Sequence, residues 1–251
     1  MQKTKIAIIT PYKNSSQFLD SYFNSLLSQT YKNWNCYLVN DGSIDNSNHL
    51  IGKITRNDSR FILLDSSKDK ISLGPATSRN IGLSIGTEPL VCFLDIDDLW
   101  EPNKLDLQLR FFIENDLDIC VTSYFKFKDK KLNSKLLINP PLELDYKELL
   151  NKNHIPLLTV LVKRDLKDFY FPNSRHEDYA MWLNIFLRNP KIKYGNLNQP
   201  LCYYRIHNNN ITSNKIKMIF WIYEAYKIHG INNKKSIFLV IRTIILHFCK
   251  I

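Results

Sequence analysis

From Lys5 to Ile9 the chain runs KIAII, continuous, apolar and β-branched, and stops at Thr10-Pro11. That is the pattern of a strand buried on both faces of a parallel sheet. Phe18, Leu19, Tyr22, Phe23, Leu26 and Leu27 then recur at helical spacing, and Trp34 to Val39 predicts a second strand ending at Asn40-Asp41-Gly42-Ser43. A polar helix around 46–54, a third strand over 60–64, a helix over 75–85 and a fourth strand over 89–94 complete the rhythm. Such βαβ alternation implies a parallel sheet with right-handed crossovers, and ligands of such sheets bind beyond the carboxyl ends of the strands. The first, second and fourth strands end at Thr10-Pro11-Tyr12, Asp41-Gly42-Ser43 and Asp95-Ile96-Asp97-Asp98, so three polar clusters are expected on one rim.

Beyond residue 100 the pattern becomes mixed. A helix over 101–115 with Pro102 in its first turn, a strand over 118–123, and an exposed Lys-rich hairpin or loop over 126–135 are predicted. A strand near 157–162, a helix over 177–188 and short strands near 192–194 and 201–205 follow. No repeat or low-complexity linker interrupts this, so one compact unit over 1–212 with a helical extension over 213–251 is the simplest partition.

Composition changes the picture in three places. The share of hydrophobic residues, 44%, beside 23% charged ones, argues for a packed fold without long disorder. The net charge of +10 would suit a polyanionic partner, but residues 213–251 alone hold seven Lys/Arg against Glu224, so the basicity belongs mainly to the tail. Within it, residues 236–248 (SIFLVIRTIILHF) are apolar except for Arg242, too short to span a bilayer, which takes roughly 20 residues, and follow Lys234-Lys235. They suit a helix lying in the interface of an anionic membrane, or equally a last helix packed on the domain. Cys36, Cys92, Cys120, Cys202 and Cys249 lack metal or redox spacing and read as reduced core residues. The N-terminus lacks the apolar run of a signal peptide, which points to the cytoplasm.

Several residues could carry chemistry. FLDIDDLW, residues 93–100, sets Asp95, Asp97 and Asp98 directly after a buried strand, where carboxylates can meet a hard cation such as Mg²⁺ and the diphosphate it neutralises; alternatively the loop merely caps the next helix, as Asp98 alone could do. Asp41 can accept from a ring N–H of uracil, thymine or guanine, although D-G-S is also ordinary turn chemistry. Arg79, on the helix of GPATSRNIGLSIG (74–86), is placed to pair with phosphate, or is a solvated surface residue. Glu177 and Asp178 begin an apolar helix, where negative charge suits the dipole whether it caps the helix or removes a proton. Arg205 and His207 lie two apart on a strand and share a face, within reach of a metal or diphosphate unless His207 is structural. The other five histidines show no metal spacing, so zinc hydrolysis has no support.

Four stretches together carry a resemblance: residues 9–47 (ITPYKNSSQFLDSYFNSLLSQTYKNWNCYLVNDGSIDNS), GPATSRNIGLSIGTEPLVCFLDIDDLWEP, HEDYAMW and YYRIHNNN. In this order the chain resembles family 2 glycosyltransferases of the GT-A fold, especially bacterial enzymes of surface-polysaccharide (lipopolysaccharide or capsule) assembly. The resemblance implies a Rossmann-like, mostly parallel α/β sheet flanked by helices, a nucleotide-binding half over 1–100 and an acceptor-side half over 101–212. It implies that Thr10, Pro11, Tyr12 and Asn14 shape the nucleotide site, with Asp41 on the base, Arg79 near the phosphates, and Ile96 inside the D-x-D segment. Asp95 and Asp97 would serve ribose and metal, His207 the metal, and Asp178 would be the general base, with Glu177, Asp98 and Arg205 in support. The implied reaction is inverting, metal-dependent hexosyl transfer with Mg²⁺ or Mn²⁺ from a nucleotide sugar, a UDP-sugar, to a glycan or lipid-linked oligosaccharide. The implied location is cytoplasmic or peripheral on the inner face of the plasma membrane. A sugar-nucleotide pyrophosphorylase should carry a glycine-rich loop after the first strand, which TPYKNSS lacks. An acidic rim opposes a nucleic-acid backbone. An inactive nucleotide- or sugar-binding relative would share the motifs without turnover.

Overall fold

The computed structural model describes residues 4–67, 71–128, 131–206 and 215–248. In chain order its elements are β1 (Ile6–Tyr12), α1 (Leu19–Leu27), β2 (Trp34–Asn40), α2 (Ser47–Thr55), β3 (Phe61–Asp65), α3 (Pro75–Ile85), β4 (Leu90–Phe93), β5 (Leu99–Trp100) and α4 (Lys104–Glu114). They continue with β6 (Ile119–Lys128), β7 (Lys131–Ile138), α5 (Tyr146–Leu149), β8 (Leu161–Lys163), α6 (Glu177–Arg188), β9 (Tyr194–Arg205), α7 (Lys215–Ile228) and α8 (Asn233–Phe248).

All strands join one sheet in the order β3-β2-β1-β4-β8-β6-β9-β5, with β7 paired to β6. The first four strands are parallel, as the sequence rhythm predicts. Then β8 runs antiparallel to both β4 and β6, β6 and β9 are parallel, and β5 is antiparallel to β9, so the whole sheet is mixed. The Lys-rich stretch forms the β6–β7 hairpin. Where two short strands are expected, β9 is one long strand whose pairing shifts register twice against β6 and whose Asn198 takes a positive φ of 54°. Bulges of this kind keep a strand continuous across Asn and Pro positions that look like a break.

Residues of β1 alternate between two cores. Ile6 and Ile8 pack with Leu19, Tyr22, Phe23, Leu26, Leu105 and Phe112, from α1 and α4. Ala7 and Ile9 join the core that contains Ala76 of α3, Trp182 of α6, Tyr226 of α7 and Leu239 of α8. That two-faced burial is the physical content of the uninterrupted apolar run. A Cβ on Gly82 would stand 2.7 Å from a methyl carbon of Ile9, so glycine there lets α3 press closely on β1 and fixes where the helix's earlier residues lie. Cys36, Cys92, Cys120 and Cys202 are buried free thiols. Among the described residues no helix is long and apolar enough to cross a membrane.

Candidate active site

Thr10, just before β1 ends at Tyr12, is completely buried, its hydroxyl 2.6 Å from that of Tyr22. Pro11 pairs with Val39 of β2 after the pairing with β4 has ended at Ile9, so one side of β1 is open where the missing N–H falls. Tyr12 donates to Asn48 at 2.7 Å, and burial, reinforced by Asp65, pushes its phenol up to about 12. Asn14 has a positive φ of 48°, which Asn tolerates better than most residues, and its carboxamide oxygen accepts from the backbone N–H groups of Ile44 and Asp45. The loops after β1 and β2 are thereby tied into one rim.

Asp41 is buried, and its backbone N–H donates to the carbonyl of Tyr12. Its Oδ1 accepts from the N–H groups of Leu73 and Gly74 at 2.9 and 3.2 Å, and its Oδ2 from Ser72 at 2.5 Å. Gly74, at φ 90°, is where a side chain would be strained, and this backbone turns its N–H onto Asp41 at the head of α3. Ser66 bridges Asp41 to Ser78 of α3, donating to Asp41 at 3.4 Å with its oxygen 2.7 Å from that of Ser78.

The next residue, Arg79, is the hinge of the arrangement. Its Nη2 donates to Asp95 at 2.8 Å and its Nη1 to Glu177, 98 positions further along the chain, at 2.7 Å, joining the segment after β4 to the start of α6. The side chain is only 6% exposed, and Nε is buried without a hydrogen-bond partner among the described residues. The expectation that Arg79 lies by the phosphates therefore meets a guanidinium whose terminal nitrogens already hold two carboxylates. Sequence reading passed over Asn80, the following residue. Its carboxamide accepts from Phe171 N–H and donates to Phe171 C=O, both at 2.8 Å, clamping the segment that leads into α6.

Burial drives the proton affinity of Glu177 above that of an ordinary carboxylate, with Arg79 opposing and Asp178 adding to the rise. Asp178, half-buried in the first turn of α6, accepts from the side-chain amide of Asn153 at 2.8 Å. Asp98 is buried and accepts from the Arg205 backbone N–H at 2.9 Å; burial first, then Asp97 and Asp95, raise its proton affinity well above the usual range. Arg205 donates from Nε to the Asp97 carbonyl at 2.6 Å and lies over the Phe18 and Phe127 rings. It therefore holds the turn that presents Asp97. Ile96 is buried between the two exposed-side carboxylates. His207 lies outside the described residues.

Asp95, with 39% of its side chain exposed, and the half-buried Asp97 offer hard oxygen ligands after β4. Among the described residues no three His, Cys, Asp or Glu side chains form a cation cage. This donor set fits Mg²⁺ or Mn²⁺ of the kind that binds through one or two carboxylates and completes its shell with phosphate oxygens and water.

A mixed α/β sheet flanked by helices is the fold of GT-A glycosyltransferases, and sequence comparison gives the family. The profile of glycosyl transferase family 2 matches residues 7–184, and the chain belongs to that family. It is 34% identical over 227 residues to an uncharacterized glycosyltransferase of Haemophilus influenzae, spanning 90% of this chain and 89% of that one. It is 32% identical over 213 residues to the UDP-Glc:alpha-D-GlcNAc-diphosphoundecaprenol beta-1,3-glucosyltransferase WfgD of Escherichia coli, spanning 84% and 81% of the two chains. A putative teichuronic acid biosynthesis glycosyltransferase, TuaG of Bacillus subtilis, is 30% identical over 217 residues, 86% of this chain and 84% of its own. Among solved structures, S. aureus TarS in complex with UDP-GlcNAc superposes with a TM-score of 0.74 at 18% identity, covering 98% of this chain and 73% of TarS. The mannosyltransferase PcManGT of Pyrobaculum calidifontis, in complex with GDP-Man and Mn²⁺, gives 0.69 at 13% identity, covering 97% and 70%. These two share the fold of this chain.

Proposed function

We propose that this glycosyltransferase moves a sugar from a UDP-sugar to a hydroxyl of a lipid-linked glycan in bacterial surface-polysaccharide assembly, with inversion at the anomeric carbon. The observation that carries the reading is the Arg79 bridge, which brings Asp95 of the donor rim and Glu177, the neighbour of Asp178, onto one guanidinium. A donor held by the rim through Thr10, Pro11, Tyr12, Asn14 and Asp41 would therefore present its sugar toward α6. Asp178 takes the proton of the acceptor hydroxyl, the acceptor oxygen bonds to the anomeric carbon, and the bond to the diphosphate breaks with its electron pair leaving on UDP. Asp95 and Asp97, with His207, are the residues that would hold Mg²⁺ or Mn²⁺, whose Lewis acidity would stabilise the leaving diphosphate by several kcal/mol. Glu177 and Asn153 orient the start of α6, while Asp98 and Arg205 shape the turn bearing Asp97.

The donor and acceptor classes rest on the activities of relatives such as the E. coli glucosyltransferase. The same reading sets the enzyme on the cytoplasmic side, peripheral at the inner face of the plasma membrane, with residues 213–251 toward the anionic surface. A screen of nucleotide sugars for Mn²⁺-dependent thermal stabilisation tests the donor class. A UDP-sugar at 100 times its Kd should stabilise the fold by about 2.7 kcal/mol, and a GDP- or CMP-sugar giving the only shift would overturn the uridine reading. Asp97→Ala should lower UDP affinity in Mn²⁺ at least about tenfold and leave the metal-free affinity unchanged. Calorimetry with and without the ion checks this, and equal loss in both conditions would remove Asp97 from the metal site.

A further inference from the structure

The helices α7 and α8, over 215–248, form neither a loose tail nor a wholly buried pair. Along α8, Ser236, Leu239 and Val240 are buried, and the Thr243 hydroxyl donates to the Asn151 carbonyl at 2.9 Å. At 100° per residue these positions form the inward arc of the helix. The opposite arc carries Ile237, Phe238 and Ile241, exposed by 52%, 63% and 51%, with exposed Lys234, Lys235 and Arg242 on the same side and along its margin. Phe220 of α7 is 68% exposed. Glu224 is the sole acid of residues 213–251.

We infer that this outer arc of α8 is a membrane-docking surface, in which Ile237, Phe238 and Ile241 enter the headgroup boundary of an anionic bilayer while Lys234, Lys235 and Arg242 meet lipid phosphates. An apolar strip bordered by cations is what an in-plane interfacial helix requires. A second copy fits worse, because a self-complementary contact would set these cations against their own counterparts. The inference deepens the membrane reading above by assigning a face and an orientation. Its inner arc keeps α8 attached to the catalytic domain. From there α7 reaches α6 through Tyr226, whose hydroxyl donates to the Leu150 carbonyl and lies 3.2 Å from that of Tyr179, the neighbour of Asp178. Docking through α8 would thus hold the start of α6 at a set height over the surface from which a lipid-linked acceptor rises.

Flotation of the full chain with phosphatidylglycerol–phosphatidylethanolamine vesicles and with pure phosphatidylcholine vesicles tests it. No donor or acceptor is present, so the result is independent of whether the chain transfers sugar. The wild type should float with the anionic vesicles and at least about tenfold less with phosphatidylcholine. Phe238→Ser combined with Ile241→Ser should lose flotation with an unchanged melting temperature, since both side chains are exposed, and Lys234→Glu with Lys235→Glu should erase the preference for anionic lipid. A wild type that stays unbound, or a serine variant that floats equally, overturns the proposal. Dissociation of a dimer by the serine pair, without change in flotation, would give the face to a second copy.

Discussion

Asp178→Asn is expected to lower the rate of transfer by at least about 10²–10⁴-fold, the range that a positioned general base supplies, while UDP binding in Mn²⁺ stays within about twofold of wild type. The substitution removes the charge with almost no change of shape. Among the described residues Asp178 accepts a hydrogen bond from Asn153 at 2.8 Å, and an asparagine can turn its carbonyl oxygen to keep it. Glu177 is poorly placed to take over, because its carboxylate is committed to Arg79 and shielded, with 13% of the side chain exposed. Steady-state kinetics beside calorimetry separate the two effects. Turnover within about twofold of wild type would strip Asp178 of its role, whereas parallel loss of UDP binding would mean that the start of α6 had shifted instead.

How much of this could be read from the chain depends on how local the physics is. KIAII and WNCYLV announce buried parallel strands because burial on both faces leaves few polar positions, and Pro75–Ile85 and Glu177–Arg188 match the structure because apolar spacing and Pro or acidic starts are local signals. The three strand ends converge as the βαβ rule requires. Side-chain partnership is different. Arg79 to Glu177 spans 98 residues and Asn80 to Phe171 spans 91, and nothing near Ser78-Arg79-Asn80 distinguishes a carboxylate bridge and a backbone clamp from solvated polar residues. Asp41, which the sequence offers either as a base contact or as turn chemistry, is held by the Leu73 and Gly74 N–H groups, 32 and 33 residues away. Lys104 of α4, which sequence reading passed over, is buried, its ammonium 3.9 Å from the centroid of Trp100. A cation–π contact of that kind leaves no periodic trace in the sequence.

Arg79→Met should destabilise the fold by about 3 kcal/mol, the low end of the range for breaking a buried pair by removing one partner. Glu177 bears most of that loss, since Asp95 is 39% exposed and water can replace part of what it loses. For a chain of this length each kcal/mol lowers Tm by about 2–4 °C, so a fall of about 6–12 °C is expected. The deficit should depend on pH with a definite sign. Burial already raises the proton affinity of Glu177, and Arg79 is the principal influence opposing the rise, so its removal moves the carboxyl further up. The folded variant then binds a proton that the unfolded chain has released, and its stability falls as pH rises from the ordinary carboxylate range through the raised folded value. Melting the two proteins side by side at pH 5 and pH 8 should show the smaller gap at pH 5, because protonation of Glu177 offsets part of the loss of its partner. Arg79→Lys should fall between them, because a single ammonium cannot fork between Asp95 and Glu177 as the planar guanidinium does. If Arg79→Met melts with wild type at both pH values, the bridge contributes nothing to holding the segment after β4 against α6, and the Asn80 clamp on Phe171 is what ties α3 to the segment leading into α6.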